Sequence, residues 1–145
     1  MAETASPPED LMTSLGQQRV ISDDPSGPMA VEFLAAQRMC HSGGVVQGGF
    51  VCAWLDAAMA RAAMAATGGE MSPMSLELKV SFFAPVHPGL VVAEGWVERL
   101  GRSTAFLEGR LLDGEGRVLA KASSTARLTP RAALEARVAA RIGGE

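Results

Sequence analysis

The stretch from residue 40 to residue 66, CHSGGVVQGGFVCAWLDAAMARAAMAA, limits the possible folds of this chain more than any other part of it. It opens with a glycine-rich turn and continues with almost no polar side chain, a pattern typical of a helix that is buried on all sides. Its only charged residues are Asp56 and Arg61. Because a carboxylate among apolar side chains is costly to desolvate, Asp56 is the first residue for which we expect a chemical role.

Size, charge and composition narrow the class of protein. A chain of 145 residues is long enough to bury the core of one domain. The net charge is −3 and the basic residues are scattered, so the sequence shows no basic patch of the kind that binds nucleic acid. No apolar run has the length, low charge and flanks of a membrane span or a secretory signal. We therefore expect a cytoplasmic protein with neither a nucleic-acid nor a membrane partner.

The cysteines and histidines are too few for a metal centre or a disulfide framework. The chain has Cys40 and Cys52, together with His41 and His87, in no recognisable ligand spacing. We therefore expect no metal. Nothing near Cys52 in the sequence marks a base for it, so we expect a small buried side chain there rather than a nucleophile.

Around the central helix the chain divides into three parts. Residues 1–16 form a polar, proline-rich segment for which we expect partial disorder or a short helix near residues 10–16. Residues 17–129 form the domain proper, which begins with short extended segments at residues 18–22 and 29–35. Residues 130–145 carry apolar side chains at helical spacing. They predict a C-terminal helix with Thr129 as its cap and Pro130 at its first position.

After the central helix ends at Gly68 and Gly69, the apolar period changes to two. Residues 74–83 place one set of alternating side chains on one face and another set on the other, which predicts a half-buried antiparallel strand. Three more strands are predicted, and together the four form an antiparallel meander. The fold class is therefore α+β, with a sheet that wraps one buried helix. The apolar face of residues 74–83 is Leu76, Leu78, Val80 and Phe82, and the three later strands are residues 90–99, 103–112 and 117–128.

The ordered set of motifs across residues 33–128 resembles the hotdog-fold acyl-CoA thioesterases, in particular the phenylacetate-pathway and 4-hydroxybenzoyl-CoA type. Those enzymes carry a glycine-containing turn, a His-Gly-Gly or Gln-Gly-Gly segment and an acidic residue on the central helix. The matching segments here are Gly44, Gln47-Gly48-Gly49, Leu55-Asp56, Phe82-Phe83-Ala84-Pro85, Gly89, Gly101-Arg102-Ser103 and residues 113–120. His41 departs from the pattern, because the family usually has Asn or Gln at that position.

The resemblance implies a hotdog fold and the hydrolysis of an acyl-CoA thioester without a cofactor. It implies that Asp56 acts as base or nucleophile and that the Gly48 N–H stabilises the oxyanion, assisted by His41 and Ser75. Coenzyme A enters only as part of the substrate. The residues implied to contact substrate are Gln47, Gly49, Arg102 and Ser103.

Assembly and two alternative functions follow from the same resemblance. Relatives pair the edge strands of two chains, so we expect a homodimer or homotetramer with the active site between subunits. Gly48 and His41 of one chain would face Asp56 and Ser75 of the other. The alternatives are a hydroxyacyl thioester dehydratase or hydratase that uses His41 with Asp56, and an acyl-CoA-binding protein without activity.

Overall fold

The structure, a computed structural model, describes residues 10–144. The segment of residues 1–9, for which poor order was predicted, lies outside the described residues. The described chain forms three α-helices, one 3₁₀ turn and six strands. In chain order these are α1 (Leu11–Ser14), β1 (Gln17–Ser22), β2 (Met29–Ala35), the 3₁₀ turn (Gln37–Met39), α2 (Gly48–Ala66), β3 (Met71–Phe82), β4 (Gly89–Leu100), β5 (Thr104–Leu112), β6 (Val118–Pro130) and α3 (Arg131–Ile142).

All six strands form one antiparallel sheet in the order β1-β2-β4-β5-β6-β3. The predicted four-stranded meander is wrong in its first strand, because β3 pairs with β6 and only β4, β5 and β6 form consecutive hairpins. The segment between β3 and β4 contains Pro85 and Pro88 and is not a tight hairpin turn. It carries the chain past the ends of β6 and β5. This leaves β3 as an edge strand.

The predicted helix is α2, which packs one face against the sheet. The expectation of burial on all sides is wrong for the single chain, because the face that carries Asp56, Ala60 and Arg61 is only half-buried. Trp54 is completely buried, and its indole N–H donates a hydrogen bond of 2.8 Å to the carbonyl of Leu15. By length and composition α2 would also suit a membrane span, a property that core helices share with such spans. The fully or nearly fully buried α2 residues are Val51, Trp54, Leu55, Ala58, Met59, Ala62 and Ala63.

Two facing glycines allow α2 to lie unusually close to the sheet. Gly95 on β4 and Gly109 on β5 are directly opposite each other. A Cβ atom at Gly95 would lie only 2.5 Å from the carbonyl carbon of Ala58, and one at Gly109 would lie 3.2 Å from Cγ of Met59. The absence of a side chain at Gly95 therefore allows the close approach of the helix backbone to β4, and Gly109 leaves room for the Met59 side chain.

The edge strand β3 is more exposed than its alternating pattern predicts. The sequence indicated a half-buried strand, yet Leu76 is 66% exposed and Phe82 is 53% exposed in the single chain. The reason is that β3 has a neighbouring strand on one side alone, so its side chains lack partners along the open edge. Together with Met74 and Leu78, these side chains form an apolar surface along an unpaired strand edge.

The C-terminal helix exists, but it begins differently from the prediction. β6 continues through Pro130, so Thr129 lies within a strand and is not a helix cap. Antiparallel pairing of Met71 with Pro130 keeps the chain extended up to the helix, and the Arg131 N–H donates to the carbonyl of Glu70 at 2.9 Å. Every residue of α3 is exposed except Leu134, which is half-buried.

We expect Gly95→Ala to destabilise the fold by about 3 kcal/mol, because a new methyl group would meet helix backbone that cannot move aside. Gly114→Ala is the matched control, since a Cβ there would meet no atom within 4 Å, and we expect a change within about 0.5 kcal/mol. Urea unfolding of both variants measures the difference. Equal stability of the two would contradict the close packing of α2.

Candidate active site

Asp56 and Ser75 form a direct hydrogen bond between the central helix and the edge strand. The Ser75 hydroxyl donates to Oδ1 of Asp56 at 2.8 Å. Asp56 is half-buried on α2, whereas Ser75 is exposed on β3. The structure thus brings together two of the predicted site residues that are 19 positions apart in the sequence.

Arg61 is not the partner of Asp56. It bonds instead to Asp23, with Nε 3.0 Å from Oδ1. Within residues 10–144 the Asp56 carboxylate has Ser75 as its hydrogen-bond partner and takes part in no ion pair. Arg61 therefore does not neutralise the Asp56 carboxylate of the same chain.

A β-bulge in β3 is what turns Ser75 toward Asp56. Ser75 lies opposite Ala126 and Glu77 lies opposite the next residue, Thr125, so Leu76 is one extra residue. Strict alternation back from Phe82 would place Leu76 and Met74 on the inner face and Ser75 on the outer face. The extra residue reverses this assignment. Ser75 therefore shares the inner face of the sheet with Ala126, which is fully buried.

The bulge is supported by Ser124, a residue that the sequence analysis did not identify. Ser124 is the buried polar side chain of the described core, and its hydroxyl donates 2.9 Å to the carbonyl of Glu77. This hydrogen bond gives the Glu77 carbonyl a partner next to the register shift in β3. The bulge is not visible in the sequence, because apolar residues continue to alternate through it at Met74, Leu76 and Leu78.

The start of α2 is built around Gln47 and two glycines. Oε1 of Gln47 accepts a hydrogen bond of 2.7 Å from the Gly49 N–H and so caps the helix. No described residue accepts a hydrogen bond from the Gly48 N–H. This N–H lies at the positive end of the helix dipole, where it is suited to bind an anionic oxygen.

A cavity of about 380 Å³ lies beside Gly48. Its walls are apolar, and a Cβ atom at Gly48 would come within 3.3 Å of the Phe82 ring. A side chain at this position would therefore partly fill the approach to the N–H group. The lining residues are Val45, Val46, Gly48, Val51, Phe82, Phe83, Ala84, Pro85 and Val86.

His41 lies in the turn that precedes α2. Its ring is exposed, and Nδ1 accepts a hydrogen bond of 3.1 Å from the Gly43 N–H. Gly44 closes the turn with a φ of 70° and donates to the carbonyl of His41. With Nδ1 occupied as an acceptor, the outer nitrogen Nε2 of a neutral ring carries the proton and is available as a donor.

One chain does not bring the two halves of the predicted site together. Gly48 and Asp56 are eight residues apart on α2, which places them about 12 Å apart along the helix axis. A carbonyl held at the Gly48 N–H is therefore too far from the Asp56 carboxylate of the same chain for direct chemistry. Both groups nevertheless border the exposed edge of β3.

Arg102 and Ser103 lie in the exposed turn between β4 and β5. The carbonyl of Ser103 accepts a hydrogen bond from the Leu128 N–H at 2.8 Å, and Arg127 pairs with both Thr104 and Met74. The turn is thus at the end of the sheet where β3 begins, about 10 Å from β3 across two strand spacings. It is separate from the Gly48 end of the sheet.

Cys40 and Cys52 are free thiols, each partly buried. Among residues 10–144 no group of three or more histidine, cysteine or acidic side chains is arranged to hold a metal ion. The side chains and backbone groups described at the site are a carboxylate, a hydroxyl, an imidazole and an N–H donor.

An antiparallel sheet wrapped around one central helix is the arrangement of the hotdog fold. The sequence pattern of the thioesterase superfamily matches residues 43–120. The chain therefore belongs to the thioesterase superfamily, and the predicted family and fold are confirmed. This membership supports thioester hydrolysis as the general reaction.

Several relatives agree with this assignment. A protein of Saccharolobus solfataricus named as an esterase is 30% identical over 96 residues, which cover 66% of this chain and 68% of that protein. A structure from Ralstonia eutropha JMP134, named as a thioesterase related to phenylacetic acid degradation, is 27% identical with a TM-score of 0.75. The matched region covers 86% of this chain and 93% of the Ralstonia eutropha chain. The Escherichia coli PaaI protein from the phenylacetic acid degradation operon, 18% identical, shares the fold with a TM-score of 0.72 over 80% of this chain and 81% of its own.

Cys52 should react slowly with alkylating agents near neutral pH. It precedes Asp56 by one helical turn, and burial, together with the nearby Asp56 charge, raises the pKa of the Cys52 thiol. Since the thiolate is the reactive species, we expect its iodoacetamide rate in a Cys40→Ser background to rise only at a pH above that of an unperturbed cysteine. Adding Asp56→Asn removes the negative charge and should move the profile to lower pH. An unshifted profile would contradict this proximity.

Proposed function

We propose that this protein hydrolyses an acyl-CoA thioester to a free acid and coenzyme A, with Asp56 as general base or nucleophile. The observation that carries the proposal is the Asp56–Ser75 pair. A carboxylate that is half-buried, bonded to a hydroxyl and free of any cation within the described residues stands at an open edge of a thioesterase-superfamily domain. Such a group is available to act on a bound substrate.

The two roles of Asp56 differ in which atom attacks the carbonyl carbon. As a base, Asp56 removes a proton from water while the water oxygen attacks the carbonyl carbon, which gives a tetrahedral oxyanion. The C–S bond then breaks, and the departing thiolate takes up the proton from Asp56. As a nucleophile, Asp56 attacks the carbonyl carbon and the C–S bond breaks, which releases the coenzyme A thiolate and leaves a mixed anhydride. Water then hydrolyses the anhydride to the free acid and the Asp56 carboxylate, and the proton released goes to the thiolate. In either scheme the Ser75 hydroxyl holds the carboxylate, or the water, in line with the carbonyl.

A second copy of the chain would complete the site. The Gly48 N–H is suited to stabilise the oxyanion, but it is about 12 Å along α2 from Asp56 of the same chain. Pairing two β3 edges about a two-fold axis is antiparallel, so it brings the Phe82 end of one strand to the Met71 end of the other. It would also cover the exposed apolar side chains of β3. We therefore propose a homodimer, or a tetramer built from such dimers, with Gly48 and His41 facing Asp56 and Ser75 of the partner.

Coenzyme A would be held at the rim of this site. Its phosphates suit a guanidinium group, and Arg102 is an exposed guanidinium in the turn before β5. Neither a metal nor a redox cofactor enters the proposed scheme, because the carboxylate and the N–H donors perform each step.

Asp56→Asn should lower kcat at least a hundredfold, the scale expected for the loss of a general base. The assay is release of free thiol from a panel of aliphatic acyl-CoAs, phenylacetyl-CoA and benzoyl-CoA. Asp23→Asn is the matched control, because it removes a carboxylate that only pairs with Arg61 at the surface. Unchanged turnover in Asp56→Asn would refute the role of this residue.

His41→Asn in the same assay separates the hydrolase from the dehydratase. In a thioesterase, Asn restores the side chain that relatives carry at this position, so turnover should change by less than about tenfold. Formation of an enoyl thioester from a 3-hydroxyacyl-CoA, abolished by His41→Asn, would instead establish a dehydratase. Equal acyl-CoA binding by wild type and Asp56→Asn without any turnover would establish a binding protein.

Ser75→Ala should lower kcat roughly tenfold, because a hydrogen bond to a charged group contributes about 1.5 kcal/mol. Ser75→Thr retains the hydroxyl and a strand-compatible side chain, so it should recover most of the activity. Steady-state kinetics on the preferred thioester measures both. If Ser75→Thr is as impaired as Ser75→Ala, the hydroxyl is not what matters at this position.

A further inference from the structure

An open groove of about 550 Å³ lies between the end of α2, the start of β3 and the C-terminal helix α3. Its volume is within the range of small-molecule sites in proteins. α3 lies outside residues 43–120 that match the superfamily pattern, so this groove uses a segment beyond the matched part of the chain. The lining residues are Met64, Met71, Ser72, Arg131, Leu134, Glu135, Val138, Ala139 and Ile142.

The Asp56–Ser75 pair lies in line with the groove along two of the elements that form it, α2 and β3. On α2, Asp56, Ala60 and Met64 follow one another at intervals of four residues, so they lie along one face and span about 12 Å. On β3, the bulge places Ser75 on the inner face, and alternation then places Met71 on that face as well. The small side chain of Ala60 stands between the carboxylate and the groove.

The lining chemistry favours an aliphatic ligand. The walls are two methionines and the aliphatic face of α3, and no aromatic ring is among them. The charged residues at the rim, Arg131 and Glu135, bond to each other with Nε 3.0 Å from Oε1, so they present no net charge. Methionine adapts its shape to flexible apolar ligands.

The shape of the groove favours an extended ligand. Leu134, Val138 and Ile142 follow one another along α3 over about 12 Å. These apolar side chains are not fully covered, and Ile142 is 74% exposed. The outer face of α3 carries mainly alanine and arginine, so the apolar face is the one directed at Met64 and Met71.

We propose that this groove binds the tail of an extended aliphatic acyl chain, which makes a medium- to long-chain acyl thioester the substrate class. The proposal rests on the proposed function, because the acyl carbonyl must lie beside Asp56 for the tail to pass Ala60 and reach α3. A compact acyl group would end before Met64. A longer chain would bury further methylene groups against Leu134 and Val138, each of which favours binding.

Two substitutions at different distances from Asp56 test this path. The substrates are butanoyl-, octanoyl-, dodecanoyl- and hexadecanoyl-CoA, and kcat/KM is measured for each. Ala139→Phe fills the far part of the groove and should lower kcat/KM roughly tenfold for dodecanoyl- and hexadecanoyl-CoA, with butanoyl- and octanoyl-CoA unchanged. Ala60→Leu narrows the near part and should impair octanoyl-CoA as well. Ala140→Phe, the same change on the outer face of α3, is the matched control and should alter none of them.

The outcomes separate this inference from the proposed function. If wild type cleaves only butanoyl-CoA or aryl thioesters, or if Ala139→Phe affects all chain lengths equally, the acyl groove is wrong while the hydrolase stands. If Ala139→Phe but not Ala140→Phe changes the molar mass by light scattering, a second copy fills the groove instead. If wild type cleaves no thioester, the proposed function fails. The groove is then tested by calorimetry with dodecanoyl-CoA, where only weaker binding to Ala139→Phe than to Ala140→Phe supports it.

Discussion

The close contact between α2 and the sheet at Gly95 and Gly109 is the constraint on which the rest of the structure depends. Because Gly95 has no side chain, the backbone of Ala58 and Met59 lies almost directly on β4, and the Met59 side chain packs over Gly109 on β5. This contact determines the height and rotation of the helix, and Trp54 and Leu55 complete it as fully buried side chains. The polar edge of the same helix is then directed at β3. Asp56 reaches the edge of the sheet as a consequence of how the opposite face packs.

The second constraint is the bulge at Leu76, which links the packing of the sheet to the chemistry of the site. Without it, Ser75 would lie on the far side of the sheet from Asp56. Ser124 bonds to the carbonyl of Glu77 beside the register shift, so a buried hydroxyl on β6 supports the position of a hydroxyl on β3. The same bulge places Ser75 on the same face of β3 as Met71, which lines the groove beside α3. An edge strand tolerates such a shift because only one of its sides is paired.

Much of the fold could be predicted from the sequence because its signals are local. The apolar run before Gly68 defines α2, and alternating side chains locate the strands to within a few residues. Asp56 could be identified as a candidate because it is a charged residue within that apolar run. Strand order could not be read in the same way, since pairing of β3 with β6 rather than β4 depends on a connection that crosses two strands. Thr129 was misassigned for a related reason, because pairing with β3 extends β6 through Pro130 and overrides the local capping preference.

The sequence by itself determined that this protein has one buried helix, that the helix carries a carboxylate, and that its start offers an N–H group in a glycine turn. These features depend on residues near one another in the chain, where side-chain periodicity and backbone freedom act directly. Only the tertiary structure decided that Asp56 meets Ser75, while Arg61 pairs with Asp23. The physical reason is that one extra residue in β3 reverses which side chains face the helix. An apolar sequence that continues through the bulge does not reveal that reversal.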